Sequence, residues 1–390
     1  MATEILADER ALRSGRRERV LAQMQAHDLD ILVLGRQANI RYVSGAPQLW
    51  TAGTRPFGPG CVVVRESGDI HLLSVWDEGV PDDIPHDHLY GIMWNPLNII
   101  AVLQKIDGAA TARRVGTDAL SPLFGQFLPM AFPQAEVVDG EPAIRAARRI
   151  KTPDEIVVLR DSIRIAEAGL AAAVAELRPG ISEKNLTGVM LQAMAAGGVS
   201  TPATQDAAWV TSPEHPWRRV GDAGRAQPGD RIQAGDLVAF SSGVIANGYI
   251  AEVGRTWPVG APSNGTDALY QRWDRLWSHL LTACRPGQSA AGFLTAYEDA
   301  GESLPPMPVV HALGLGFDAP VVSSQLPATA AEEQLEPGMV LAVTGYVWEQ
   351  GIGAVFGREM VLITADGPEV LTSAPAWSSN SDTVIGASNG

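Results

Sequence analysis

The spacing of apolar positions predicts alternating helices and strands in the first part of the chain. Helical spacing occurs at residues 9–28, 96–107 and 121–130. Strand-like apolar runs occur at 30–34, 61–65, 71–75 and 137–138. Because the two kinds of segment alternate, we expect an α/β domain over residues 1–148.

A strong helix start signal opens the second part. Thr152 suits the N-cap, Pro153 suits the first helical position, and Glu155 stands three residues after the cap, which completes a capping box. An apolar stripe at spacings of three and four then runs from Ile156 to Leu177. The pattern predicts a long helix that begins a new domain.

In the rest of this second part, the predicted helices and the predicted strand pairs occupy separate stretches of the chain. Helical spacing returns at 182–196, 265–283 and 288–302. Strand pairs are predicted at 236–242 with 249–257 and at 338–347 with 354–364. This arrangement favours an α+β domain over residues 149–375. The Ser- and Asn-rich residues 376–390 are predicted to form a disordered tail.

Composition narrows the classes of function. The 390 residues carry a net charge of −15, whereas nucleic-acid binding needs clustered basic residues. The chain has neither an apolar run of about 18 residues, which would suit a membrane helix, nor a recognisable signal peptide. Its two cysteines, Cys61 and Cys284, lack metal-type spacing. We therefore expect a cytoplasmic protein without nucleic-acid or membrane partners.

Six segments in order resemble one superfamily. They read IKTPDEI (150–156), LRPGI (177–181), GDLVAFSSGVIANGYIAEVGRTWPVG (235–260), HALGLGFDAP (311–320), LEPGMV (335–340) and REMVLITADG (358–367). Over about residues 10–372 the chain resembles the creatinase/prolidase/methionine aminopeptidase superfamily. The resemblance implies the fold class α+β, with a pita-bread catalytic domain after an N-terminal creatinase-like α/β domain.

The resemblance also implies where metal ligands stand in metal-dependent relatives, which use two Asp, one His and two Glu. The matching positions here are Ser241, Glu252, His311, Thr344 and either Arg358 or Glu359. Two divalent cations about 3.5 Å apart need several carboxylates to neutralise them. We therefore expect no metal cofactor; the alternative is one divalent ion, such as Zn, Mn or Fe, held by His311 and two carboxylates.

Four residues are predicted to be catalytic. His215, in the loop TSPEHPWRR (211–219), matches a substrate-facing histidine of the superfamily and is expected to transfer the proton. His311 is expected to polarise a carbonyl group, and Glu252, with Glu359 or Arg358, is expected to orient the charged end of the substrate. A one-residue slip on a strand turns a side chain to the other face, so either Arg358 or Glu359 faces the pocket.

Further residues are predicted to bind substrate: Trp217, Arg358, Thr344, Ser241, Tyr249, Arg55 and Phe57. Packing within the hairpin is the alternative for Tyr249, and packing within its loop is the alternative for Trp217. Arg55 and Phe57 lie in a loop that, in creatinase-like dimers, reaches into the partner's active site. The resemblance thus implies a homodimer.

These residues predict a metal-independent hydrolase that cleaves a C–N bond of a small amide, cyclic amide or guanidino compound by acid–base catalysis. One alternative is a metal-dependent Xaa-Pro dipeptidase or aminopeptidase with a mononuclear site. Two others are a lyase resembling the dimethylsulfoniopropionate lyase branch and a non-catalytic binding scaffold. The expected partner in each case is a small molecule.

Overall fold

The computed structural model describes residues 8–46, 59–73, 75, 77–91, 93, 95–118, 121–199, 207–217, 231–326 and 332–378. The chain forms two compact units, Met1–Glu155 and Ile156–Gly390. The boundary falls shortly after the predicted one at residue 148. Most of the predicted tail, from residue 379 onward, lies outside the described residues.

The first unit is built on a mixed six-stranded sheet with the strand order β4-β3-β2-β1-β5-β6. Its strands are β1 (Ile31–Leu34), β2 (Cys61–Val64), β3 (Ile70–Leu73), β4 (Leu89–Tyr90), β5 (Arg114–Thr117) and β6 (Glu136–Asp139). Its helices are α1 (Glu9–Ala26), α2 (Gln37–Ser44), α3 (Pro96–Leu103), α4 (Pro122–Ala131) and α5 (Glu141–Arg149). The predicted α/β layering of this unit is confirmed.

The central strands of this unit are buried along their whole length. All four residues of β1 and all four of β2 are buried, as expected for a sheet that is covered on both faces. The sequence pattern did not predict α2, β5 or α5. The first of these ends at Gly45, whose left-handed φ of 71° is a common helix terminus.

The second unit contains a larger sheet with the order β11-β10-β12-β13-β9-β8-β7, and β14 pairs with β13. Its strands are β7 (Ala208–Val210), β8 (Leu237–Ala246), β9 (Tyr249–Pro258), β10 (Val310–Gly314), β11 (Gly316–Val322), β12 (Val340–Glu349), β13 (Gly353–Thr364) and β14 (Gly367–Val370). Its helices are α6 (Pro153–Ala175), α7 (Glu183–Ala196), α8 (Thr266–Ala283) and α9 (Gly292–Ala300). Among the described helices, none has the length and apolar character that crossing a membrane requires.

The predicted capping box at the start of α6 is confirmed. The amide of Thr152 donates to Glu155 Oε2 over 2.9 Å, and the amide of Glu155 donates to Thr152 Oγ1 over 3.2 Å. Both donors are among the groups that a helix start leaves unpaired. This reciprocal pair therefore sets the point at which α6 begins.

Strand register decides which side chains share a face of the large sheet. Ser241 lies opposite Gly254, Gly254 opposite Arg358, and Arg358 opposite Thr344. Because side chains alternate along a strand, these positions and Glu252 point to one side. We call this side the front face and the opposite side the back face.

A tryptophan packs directly on the backbone of the back face. Gly345 lies opposite Gly357, and a Cβ built on these residues would stand only 2.8 and 2.2 Å from atoms of the Trp273 ring. The indole Nε1 of Trp273 also donates to the carbonyl of Gly345 over 3.2 Å. The two glycines adjoin Thr344 and Arg358, so Trp273 supports the backbone behind these front-face residues.

We expect Gly357→Ala to destabilise the protein by about 1–3 kcal/mol, because the added methyl group overpacks against Trp273. The matched control is Gly188→Ala in α7, where a Cβ would meet nothing within 4 Å. That change should stabilise by about 0.4–1 kcal/mol, because alanine restricts the unfolded chain. Urea unfolding followed by circular dichroism measures both; equal midpoints for the two variants would contradict the close approach.

Candidate active site

Four front-face side chains from four strands form a polar cluster, which we call the front-face cluster: Glu252, His311, Thr344 and Arg358. Nη1 of Arg358 donates to Glu252 Oε2 over 2.6 Å, and its Nε donates to Thr344 Oγ1 over 3.0 Å. Nε2 of His311 lies 3.3 Å from Glu252 Oε2. Glu252 is thus the centre of the cluster.

Burial makes the charges of this cluster interact strongly. The side chains of Arg358, His311 and Glu252 are only 13%, 8% and 6% exposed. Burial by itself raises the pKa of the Glu252 carboxyl, but Arg358 and His311 outweigh this effect and lower the pKa to about 2. Glu252 therefore stays ionised, with its charge balanced by the guanidinium.

His311 has hydrogen-bonding capacity that the described residues leave unused. Its approach to Glu252 is a short electrostatic contact and not a hydrogen bond, and neither ring nitrogen has a hydrogen-bond partner within the described chain. Buried polar atoms in folded proteins are nearly always paired. The ring also packs against Phe317 with centroids 5.3 Å apart. Its two nitrogens are therefore suited to a bound ligand.

Aromatic side chains continue the front face beyond the cluster. The guanidinium carbon of Arg358 lies 5.4 Å from the ring centroid of Phe356, which packs against Trp209 at 5.3 Å. Tyr346 packs against Trp217 at 4.5 Å. The site thus pairs a small charged region with an apolar wall, as ligand pockets often do.

The loop that carries His215 is attached to this same face. Trp217 contacts Tyr346, and the indole of Trp348 donates to the carbonyl of Ser212 over 2.9 Å. Trp217 has a left-handed φ of 68°, which is unusual for a bulky residue. The side chain of His215 itself is exposed and makes no hydrogen bond or ion pair with any described residue. The structure therefore brings the loop to the site while His215 stays in solvent.

The choice between Arg358 and Glu359 is decided by register. Arg358 pairs with Thr344 and lies on the front face, whereas Glu359 pairs with Val343 and lies on the back face. There Glu359 forms an ion pair with Arg255 over 2.9 Å and accepts from Thr372. The carboxylate of Glu359 thus points to the opposite face of the sheet from Glu252 and His311.

The other residues predicted to belong to the site lie in several different places. Ser241 lies on the front face opposite Gly254 and is mostly buried. Tyr249 is fully buried at the start of β9, as expected for packing within the hairpin. His311 lies on strand β10. Arg55 and Phe57 fall outside the described residues.

Sequence reasoning identified Trp217 but missed the other aromatic residues of this wall. Phe356 lies two residues before Arg358, and Tyr346 lies two residues after Thr344. Since side chains two apart on a strand share a face, the same alternation that places Arg358 could have identified both aromatics.

The fold, together with the family matches that follow, defines a class, the hydrolases of C–N bonds with a pita-bread catalytic domain. Residues 158–365 match Metallopeptidase family M24, and residues 16–150 match the Creatinase/Prolidase N-terminal domain. The first match spans more than half of the chain, and the chain therefore belongs to metallopeptidase family M24. The superfamily predicted from the six sequence segments is thus confirmed.

Individual relatives are similar over nearly the whole chain. The uncharacterized hydrolase/peptidase y4tL of Sinorhizobium fredii is 24% identical over 375 residues, which cover 91% of this chain and 93% of the relative. The Xaa-Pro dipeptidase of Pyrococcus furiosus is 24% identical over 358 residues, which cover 92% of this chain and 97% of the dipeptidase. The prolidase structure from Pyrococcus horikoshii OT3 superimposes on this chain with a TM-score of 0.72 at 21% sequence identity. The superposition covers 93% of this chain and 99% of the prolidase chain. At this identity the structural likeness shows the fold alone.

Family membership implies divalent metal ions, and the front-face residues do not fit a metal pair. Ser241 and Thr344 replace acidic ligands by neutral hydroxyl groups, and Arg358 adds a permanent positive charge. Within the described ranges, no group of three or more His, Cys, Asp and Glu side chains is arranged to hold a metal ion. One carboxylate, Glu252, and one imidazole, His311, remain on the front face, and the carboxylate already binds Arg358.

We expect the stability of the protein to depend on the ionisation of Glu252. Its folded pKa of about 2 lies below the ordinary 4.5, so its contribution is complete above the ordinary pKa and is lost as the pH falls toward 2. The contribution is about 3 kcal/mol. The difference in free energy of unfolding between wild type and Glu252→Gln should therefore shrink over this pH range.

Chemical denaturation at a series of pH values measures this difference. Glu298→Gln in α9, which changes an exposed carboxyl outside the cluster, is the matched control and should follow the wild type at every pH. A constant difference between wild type and Glu252→Gln would contradict the lowered pKa.

Proposed function

We propose that this chain is a metal-independent hydrolase that cleaves a C–N bond of a small amide, cyclic amide or guanidino compound by acid–base catalysis. The observation that carries the proposal is the guanidinium of Arg358, which lies between Glu252 and Thr344 at positions where metal-dependent relatives place ligands. An arginine stays charged at every physiological pH, so it supplies a fixed positive charge without a metal ion.

The charges of the front-face cluster support a mechanism without a metal ion. Glu252 accepts from Arg358 over 2.6 Å, so a divalent ion bound to the same carboxylate would lie close to a like charge. A catalytic zinc ion normally needs three protein ligands besides water. Glu252 and His311 provide two, and Glu359 is occupied on the back face by Arg255.

Each residue has a defined part in the proposed reaction. His311, whose ring nitrogens have no hydrogen-bond partner among the described residues, holds the carbonyl or imino group of the substrate, and Arg358 with Glu252 orients its charged end. Water adds to the electrophilic carbon, and its proton passes to His215 as the new C–O bond forms. The C–N bond then breaks, and the same proton passes from His215 to the departing nitrogen.

The relatives favour a second candidate, a metal-dependent Xaa-Pro dipeptidase with a mononuclear site. The dipeptidase of Pyrococcus furiosus matches 92% of this chain. In this case Glu252 and His311 would bind one ion, and Arg358 would have to leave its present partner. The two candidates differ in their need for metal.

If the first candidate is correct, we expect turnover to survive removal of metal ions. The purified protein is analysed for Mn, Fe, Co and Zn, treated with a chelator, and assayed on small amides, cyclic amides, guanidino acids and Xaa-Pro dipeptides. Each assay is repeated after manganese is added back. Activity that disappears with the chelator and returns with stoichiometric metal would overturn the proposal in favour of the dipeptidase.

Replacement of His215 by alanine should reduce kcat by about 10²–10⁴, the usual contribution of a general acid–base group. The matched control is His279→Ala, which removes an exposed imidazole from α8 and should leave kcat unchanged. Thermal unfolding of both variants checks that the fold is intact. Equal turnover by the two variants would remove His215 from the mechanism.

We also propose a cytoplasmic homodimer. Cys61 and Cys284 are both buried free thiols, which suits a reducing compartment. The dimer is proposed from the superfamily resemblance of the loop that contains Arg55 and Phe57. Sedimentation of the purified chain tests the dimer directly.

A further inference from the structure

The back face of the large sheet borders an open cavity of about 250 Å³. Helix α8 forms one side, strands β9 and β13 form the floor, and the chain segment 376–378 forms another side. The front-face cluster lies on the opposite side of the same strands. The cavity is therefore on the other side of the sheet from the front-face cluster, and Phe356 of the aromatic wall also belongs to its lining.

Aromatic rings form much of the cavity wall. Tyr270 and Trp377 approach each other with centroids 4.6 Å apart and an interplanar angle of 50°, and Trp273 lies alongside. The Tyr270 hydroxyl donates to the carbonyl of Thr256 over 2.6 Å, and the Trp273 indole donates to Gly345. Since their polar atoms are used elsewhere, these side chains offer the cavity their ring surfaces.

Two carboxylates also line the cavity. Asp267 and Asp274 are exposed residues two turns apart on α8, and neither side chain has a hydrogen bond or ion pair with another described residue. Burial raises the pKa of the Asp274 carboxyl, and no neighbouring cation lowers it. The carboxylates thus give the cavity a negative charge that the described residues leave unbalanced.

The cation in the cavity lining does not balance this charge. Arg255 contributes to the lining, but its guanidinium pairs with Glu359 over 2.9 Å and donates to the carbonyl of Ala374 over 2.7 Å. Arg255 and Glu359 together are neutral. The net charge around the cavity therefore comes from Asp267 and Asp274.

We propose that this cavity binds a compact organic cation, of the alkylammonium or quaternary ammonium class. A ring face attracts a cation through its quadrupole, and carboxylates at the same cavity add direct charge attraction. An anion would be repelled by both carboxylates. The volume is below the usual range of about 300–1,000 Å³ for ligand pockets, which favours a small ligand.

Isothermal titration calorimetry of the full chain with choline and with n-butylammonium tests the proposal. The neutral isostere of choline, 3,3-dimethyl-1-butanol, is the ligand control. We expect both cations to bind and the isostere to bind at least about tenfold more weakly, because it lacks the charge. Binding by one cation alone identifies which ammonium class the cavity accepts.

Protein variants locate the site. The double variant Asp267→Asn/Asp274→Asn should weaken cation binding by about tenfold or more, and Trp377→Ala should weaken it severalfold. The matched control is Asp299→Asn, which removes an exposed carboxylate from α9 outside the cavity and should bind as the wild type does. Circular dichroism confirms that each variant is folded.

Four outcomes would overturn the proposal, of which the first three concern the cavity itself. These are no binding of either cation by the wild type, equal binding of the neutral isostere, and unchanged binding by the folded double variant. Binding that is lost in Glu252→Gln but retained in the double variant would place the cation on the front face and would equally overturn it.

Discussion

The buried ion pair between Arg358 and Glu252 is the interaction on which the candidate site depends. Neither charge is stable alone in this environment, because a buried charge without a partner costs several kcal/mol. Together they leave the cluster nearly neutral, with the guanidinium also held by Thr344. The cluster therefore combines a fixed cation, a fixed anion and an imidazole, that of His311, whose nitrogens have no hydrogen-bond partner in the described part of the chain.

The pairing of strands in the large sheet creates this arrangement. The four cluster residues come from β9, β10, β12 and β13, which are distant in sequence but adjacent in the sheet. On the back face the same strands carry the Arg255–Glu359 pair. Two buried ion pairs thus occupy opposite faces, and neighbouring residues of one strand, Arg358 and Glu359, belong to different pairs.

Packing behind the sheet limits how these strands can move. Trp273 lies against the glycine pair Gly345 and Gly357, each adjacent to a cluster residue. Tyr297 adds a second support, since its hydroxyl donates to the carbonyl of Thr344 and accepts from the amide of Tyr346. Both supports hold the backbone and leave the front-face side chains available to a ligand.

The sequence by itself determined the superfamily, the two-part layout, the capping box of α6 and the candidate positions Glu252 and His311, because these follow from local patterns and ordered motifs. It left Arg358 and Glu359 unresolved, it predicted only Trp217 of the aromatic wall, and it did not predict the back-face cavity. Those features depend on strand register and on contacts between residues about a hundred positions apart, such as Glu252 with Arg358. Only the tertiary structure decides them, because a one-residue change in register exchanges the two faces of a strand while the local sequence stays the same.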